Sequence, residues 1–245
     1  MRIFAGLALA LILLAAYEAQ ALSYGNFIGP DVDFLDVNDV TTSPGDPDGL
    51  FGGVIGPLLQ GNSLIFFPTE FFASAQGGTS DLTSATLNAT VDTKGDKFIE
   101  QILIEEFGDL DLSGVGTAAT NVSVAVSGMI TVLESNFLPI APQFIPFLFT
   151  FAPKDTFALP GDQGFHLYSG GETIDVGSLV PLATLAVVSF DNIIDANSEV
   201  GTTALIQKKV VNGPVIKVSI VPEPATGTLL GLGLVGLAVA GRRRR

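Results

Sequence analysis

The 245-residue chain is predicted to be all-β, an antiparallel β-sandwich of jelly-roll type, flanked by an N-terminal signal peptide and a C-terminal transmembrane helix. Three observations predict it. Apolar residues recur with a period of two, as in Val122-Ser-Val-Ala-Val-Ser, which continues through Gly128 to Ile130 and Val132 and fits strands with one buried face. Pro-Gly-Asp, Asn-Gly, Lys-Gly-Asp and Gly-Gly turns separate such runs, and no long amphipathic helix interrupts them. No internal repeat of fixed period occurs, which argues against a propeller or solenoid.

At the N-terminus, Met1-Arg2 supplies a positive start and Ile3 to Ala16 an apolar core of 14 residues. Ala19-Gln20-Ala21 is a small-x-small site, so residues 1–21 read as a secretory signal peptide handled by the Sec translocon, with cleavage after Ala21 leaving Leu22 first. The remaining body, residues 22–221, has the size of one domain and can bury a substantial core. It contains no cysteine, so disulfides, thiolate metal sites and thiol nucleophiles are excluded.

The first part of the body concentrates acid. Asp31, Asp33, Asp36, Asn38 and Asp39 fall within nine residues, followed by Asp46 and Asp48 in a Pro/Gly-rich stretch. Hard oxygen donors at this density suit Ca2+, with Asp31, Asp33, Asp36 and Asp39 as candidate ligands. The spacing lacks the glycine and closing Glu of an EF-hand, and a solvated acidic loop with turn-capping aspartates accounts for the same residues.

Strands are predicted next at Ser63 to Phe67, Ala85 to Val91 and Phe98 to Ile104. Phe98, Ile99, Ile102 and Leu103 also fit a helical stripe, but the Thr93-Lys-Gly-Asp turn and the clustered Ile residues favour a hairpin. Gly108-Asp-Leu-Asp-Leu-Ser-Gly-Val-Gly-Thr117 reads as a strand with outward carboxylates at Asp109 and Asp111, closed by a Gly-rich turn. Further strands are expected at 122–132, Phe144 to Phe151, Thr184 to Phe190, Thr203 to Ile206 and Val215 to Val221, the last with Lys217 and Ser219 facing out.

Enzymatic chemistry finds little support. His166 is the only histidine, and no Gly-x-Ser-x-Gly elbow accompanies it. Glu105 and Glu106 are neighbours on a strand, so they point to opposite faces and cannot readily converge as a glycosidase pair.

Charge narrows the partners. The body carries 6 lysines, no arginine and 23 acidic residues, a net charge of −17. Such a field repels phosphate backbones, so no nucleic-acid partner is expected. An acidic polysaccharide would need a bridging divalent cation, whereas a neutral glycan needs none.

The C-terminus holds three features in order: Pro222-Glu223-Pro224, 17 uncharged residues from Ala225 to Gly241, and Arg242, Arg243, Arg244 and Arg245. A helix over 225–241 would cover roughly 26 Å, enough for a short span, and the arginines would stay on the cytoplasmic side. The combination resembles the PEP-CTERM sorting signal of Gram-negative bacteria that make extracellular polymer. The resemblance covers residues 222–245 and implies a membrane-anchored precursor recognised by an exosortase, cut near the Pro-Glu-Pro element and passed to the cell surface or matrix. Gly108 to Thr117 also resembles the Gly-Asp-aromatic-x-Leu-x-Gly-x-Gly-Thr strand of some PEP-CTERM bodies, with Leu110 at the aromatic place.

Two functions follow as expectations. One is a non-catalytic surface or matrix protein that bridges extracellular polysaccharide through divalent cations. The alternative is a secreted glycan-binding module, an analogy drawn from the fold alone. Aromatic sugar platforms favour Trp and Tyr, yet the body has no Trp and only Tyr24 and Tyr168.

Overall fold

The computed structural model describes residues 20–47, 49–53, 55–208 and 214–222. In chain order the strands are β1 (Gln20–Ile28), β2 (Val32–Thr41), β3 (Leu58–Gln60), β4 (Ser63–Ile65), β5 (Phe72–Gln76), β6 (Ser80–Thr93), β7 (Lys97–Gly114) and β8 (Asn121–Ser135). They continue as β9 (Leu138–Leu148), β10 (Thr150–Ala152), β11 (Thr156–Ala158), β12 (Gly164–Asp175), β13 (Ala183–Asn197), β14 (Thr202–Lys208) and β15 (Val215–Pro222). A single helical turn, α1 (Val176–Leu179), joins β12 to β13, with the Asp175 carboxylate accepting the Ser178 N–H.

Among the described residues these strands form two sheets, and every pairing is antiparallel. The first runs β1-β2-β6-β13-β8, and the far edge of β8 is shared by β11 and β9. The second is organised by β7, whose 18 residues pair with β12 on one side. On its other side β15 and β14 lie end to end, with β4 and β3 beyond β15 and β5 beyond β14. Alternation along β7 turns Ile102, Ile104, Leu110 and Leu112 into the interior, which is why a sequence of period two makes this long strand.

One apolar core joins the sheets. The Phe51 ring meets Phe66, Phe71 and Phe190 edge to face, at centroid separations of 6.1, 5.2 and 5.7 Å. Phe190 belongs to the first sheet and Phe71 leads into β5 of the second, so Phe51 links both layers. Each such ring, fully out of water, contributes about 1.5–3 kcal/mol through area burial. At Gly108 the missing side chain is required, because a Cβ would lie 2.0 Å from the Tyr168 ring.

The strand expectations at 85–91, 98–104, 122–132, 184–190, 203–206 and 215–221 correspond to β6, β7, β8, β13, β14 and β15, most of them longer than the sequence suggested. The segment 98–104 is strand, not helix. The single strand expected over 144–151 is two, β9 and β10, parted at Phe149. The acidic stretch 31–39 lies almost wholly in strand β2 and is not a loop. Residues 1–19 of the leader, including Ala19, lie outside the described residues, as do Asp48, Glu223, Pro224, the apolar segment 225–241 and Arg242, Arg243, Arg244 and Arg245. No helix among the described residues is long and apolar enough to cross a membrane. Ala21 pairs with Val40 inside β1, so cleavage after it would trim the start of that strand.

Candidate functional site

The last described strand leads straight into the Pro-Glu-Pro element. Pro222 pairs with Lys97, and Val221 with Phe98, while Ile216 and Val218 are buried further back along β15. β15 lies between β7 and β4 over Val215 to Lys217, and from Val218 to Pro222 it pairs with β7 alone. The sorting element is thus continuous with a structural strand.

The four candidate calcium ligands are not brought together. Asp31 precedes β2, and its carbonyl accepts the Lys94 N–H. Asp33 accepts the Gly29 N–H at 3.0 Å and pairs with Lys94 Nζ at 2.6 Å. Asp36 is exposed at a register shift in β2, with φ of +52° and its N–H donated to Asn26. Asp39 is fully buried and accepts from Tyr24 Oη and from the Phe51 N–H, each at 2.9 Å. Burial, reinforced by the Asp39 charge, pushes the Tyr24 phenol above its ordinary pKa. Among the described residues no three His or acidic side chains are placed to hold a metal ion. Asp109 is buried and accepts Gln207 Nε2 at 2.8 Å, while Asp111 faces out.

His166 has a local role. Its Nε2–H donates to the Asp162 carbonyl at 3.1 Å, and its ring lies 5.7 Å from that of Phe157. Glu105 and Glu106 do diverge: Glu106 enters the core, and Glu105 faces a surface groove.

That groove, of about 580 Å³, crosses the outer face of β10, β12 and β7. Register explains its shape. Thr150, Gly171 and Glu105 lie side by side on three adjacent strands, as do Ala152, Ser169 and Phe107. Gly171 projects no side chain, and Glu105 leans over it, its Cγ 3.2 Å from where a Cβ would lie; Thr173 and Leu103 continue the groove. Sequence reasoning missed this site. Gly170-Gly171 reads as a turn, although alternation from Phe165 through Leu167 and Ser169 to Thr173 was the available signal of a strand.

A second polar cluster is internal. Lys208 Nζ lies 2.7 Å from Glu106 Oε1 and 5.0 Å from the centroid of the Phe71 ring, and Asn192 of the opposite sheet donates to the other Glu106 oxygen. Burial lowers the Lys208 pKa, and the Glu106 charge opposes that shift.

No curated protein sequence matches this chain. Among solved structures, similarity is found to the enzymatically active domain of bacteriophage CBA120 tailspike protein 4, at 12% identity and a TM-score of 0.20, covering 64% of this chain and 19% of that one. A loop-swap mutant of Necallimastix patriciarum Xyn11A is similar at 8% identity and a TM-score of 0.21, covering 82% of this chain and 100% of that one. The infectious bursal disease virus VP2 subviral particle is similar at 12% identity and a TM-score of 0.14, covering 85% of this chain and 58% of that one. Residues 221–245 match the PEP-CTERM protein-sorting motif, which begins at the final residues of β15. The chain therefore carries a PEP-CTERM sorting motif, which implies an exported protein, anchored in the membrane as a precursor for exosortase processing.

Proposed function

We propose that the sorted body is a non-catalytic cell-surface or extracellular-matrix domain that holds neutral extracellular polysaccharide in the groove of β7, β10 and β12. The observation that carries this reading is the in-register row Thr150, Gly171 and Glu105, in which Glu105 leans over Gly171 along a polar groove on the sheet face. Glu105 would accept sugar hydroxyls, Thr150, Ser169 and Thr173 would both donate and accept, and Phe107 and Leu103 would meet the C–H faces of the rings. The net charge of −17 on the body disfavours an anionic polymer in the same groove. Bridging of polysaccharide by divalent cations gains no support from Asp31, Asp33, Asp36 and Asp39, which are not gathered into one group of ligands.

The test is titration calorimetry of the full chain in detergent against neutral and acidic polysaccharide from the host, with and without chelator. Chelator-insensitive binding of the neutral polymer, weakened about tenfold or more in an E105A/T173A variant that melts like the parent, supports the groove. Chelator-sensitive binding, or binding indifferent to the substitutions, overturns it.

A further inference from the structure

We infer that the end of the sandwich from which β15 exits is a membrane-contact face, seating the body on the outer bilayer surface while the precursor is anchored. The inference rests on the anchoring implied by the sorting motif. Pro222 pairs with Lys97 at this end, and only Glu223 and Pro224 separate it from the apolar segment 225–241. The three peptide steps from Pro222 to Ala225 reach at most about 11 Å, so an inserted tail holds this end close to the headgroups.

What gathers there suits that position. The β6–β7 turn, the β8–β9 turn, α1 and the segment leading into β13 are tied together: Asn136 N–H donates to Leu182 O at 2.7 Å, Ser135 Oγ to Pro181 O at 2.8 Å and Thr93 Oγ1 to Thr184 O at 3.2 Å. From these loops Leu138 and Leu179 stand 64% and 63% exposed, with Phe137 and Leu182 at 42% and 36%. Phe137 and Leu182 both have φ of +59°, a conformation that favours glycine and that bulky residues rarely adopt. The Phe98 ring, 5.8 Å away, supports Phe137 from below, so the tip is braced. A tight turn that keeps Asn-Phe where Asn-Gly would be easier, beside a strand that runs into an apolar tail, fits a shallow interfacial anchor. Asp31, Asp92, Asp96, Glu134 and Asp175 flank the same end, outnumbering Lys94 and Lys97, so a zwitterionic surface is the fitting partner.

The absence of native cysteine makes the test direct. Full-length L138C and L179C, each labelled with an environment-sensitive fluorophore, are reconstituted into phosphatidylcholine vesicles. V115C and V200C serve as controls, because those residues are 96% and 86% exposed in the loops at the opposite end. The expected result is a blue-shifted emission at 138 and 179 that falls by about half with lipid-borne nitroxide, and neither effect at 115 and 200. Chain that floats with the vesicles but gives four equally aqueous labels overturns the contact face and leaves the anchoring intact. A blue shift without lipid quenching identifies a second copy as the occupant and also overturns it. Chain that fails to float overturns the anchoring and the inference with it.

Discussion

Lys208 and Glu106 form an ion pair of 2.7 Å in the interior, with both side chains essentially out of water. The pair joins β14 to β7, and Asn192 extends it to the opposite sheet. K208M alone would leave the Glu106 charge buried without its cation, at a cost of about 3–5 kcal/mol. K208M/E106Q removes both charges and keeps a partner for Asn192, so it should recover most of that loss. Chemical denaturation of the single and double variants checks this.

Tyr24 and Asp39 have a comparable role nearer the surface. D39A would orphan the Tyr24 hydroxyl and the Phe51 N–H, at about 1–3 kcal/mol for each donor left buried. Because Asp39 is spent on these contacts, millimolar calcium should leave the melting temperature of the parent unchanged. Calorimetry with calcium and with chelator reads both effects.

Asp92 lies directly across from Asp33 on β2, and Glu134 on β8 adds further negative charge. Burial first, then Glu134 and Asp33, raises its pKa, while Lys94 opposes them. A carboxyl with a raised folded-state pKa binds protons more tightly when folded, so its ionisation subtracts stability as pH rises. D92N should therefore raise the melting temperature at pH 7, and the gain should vanish once pH falls below about 4, where unfolded Asp is itself protonated.

Glu199 shows the opposite sign. The Thr117 N–H holds its pKa down most strongly, helped by the Thr117 and Thr120 hydroxyls, and so the carboxylate pins the β7–β8 loop to the β13–β14 turn. This stabilisation is present above the unfolded pKa, about 4.3, and is lost as pH falls through the depressed folded value. E199Q should melt below the parent at pH 7, with the gap closing towards pH 3.

Much of the fold was legible because period two holds over 122–127 of β8 and 215–219 of β15, where Val122, Val124, Val126 and Ile216, Val218 are buried and their neighbours, such as Ser123, Ser127 and Lys217, are not. β2 was not. Its inward set Val32, Phe34 then Val37, Asp39, Thr41 changes phase at the irregularity around Asp36, and its Asp and Asn content argues for a loop. The sorting element could be read locally, since Pro222-Glu223-Pro224, the uncharged segment 225–241 and the arginines follow one another directly in sequence. The groove could not, because Thr150, Gly171 and Glu105 meet only through the pairing of three strands.

Intact-mass spectrometry of the protein from membrane, matrix and medium fractions of its host tests the central claim most directly. A matrix species beginning near Leu22 and ending at or just beyond Pro222, with β15 whole, is the result predicted for a sorted body built to keep its fold after processing. Full-length C-termini confined to the membrane, or a cut that removes β15, would contradict it.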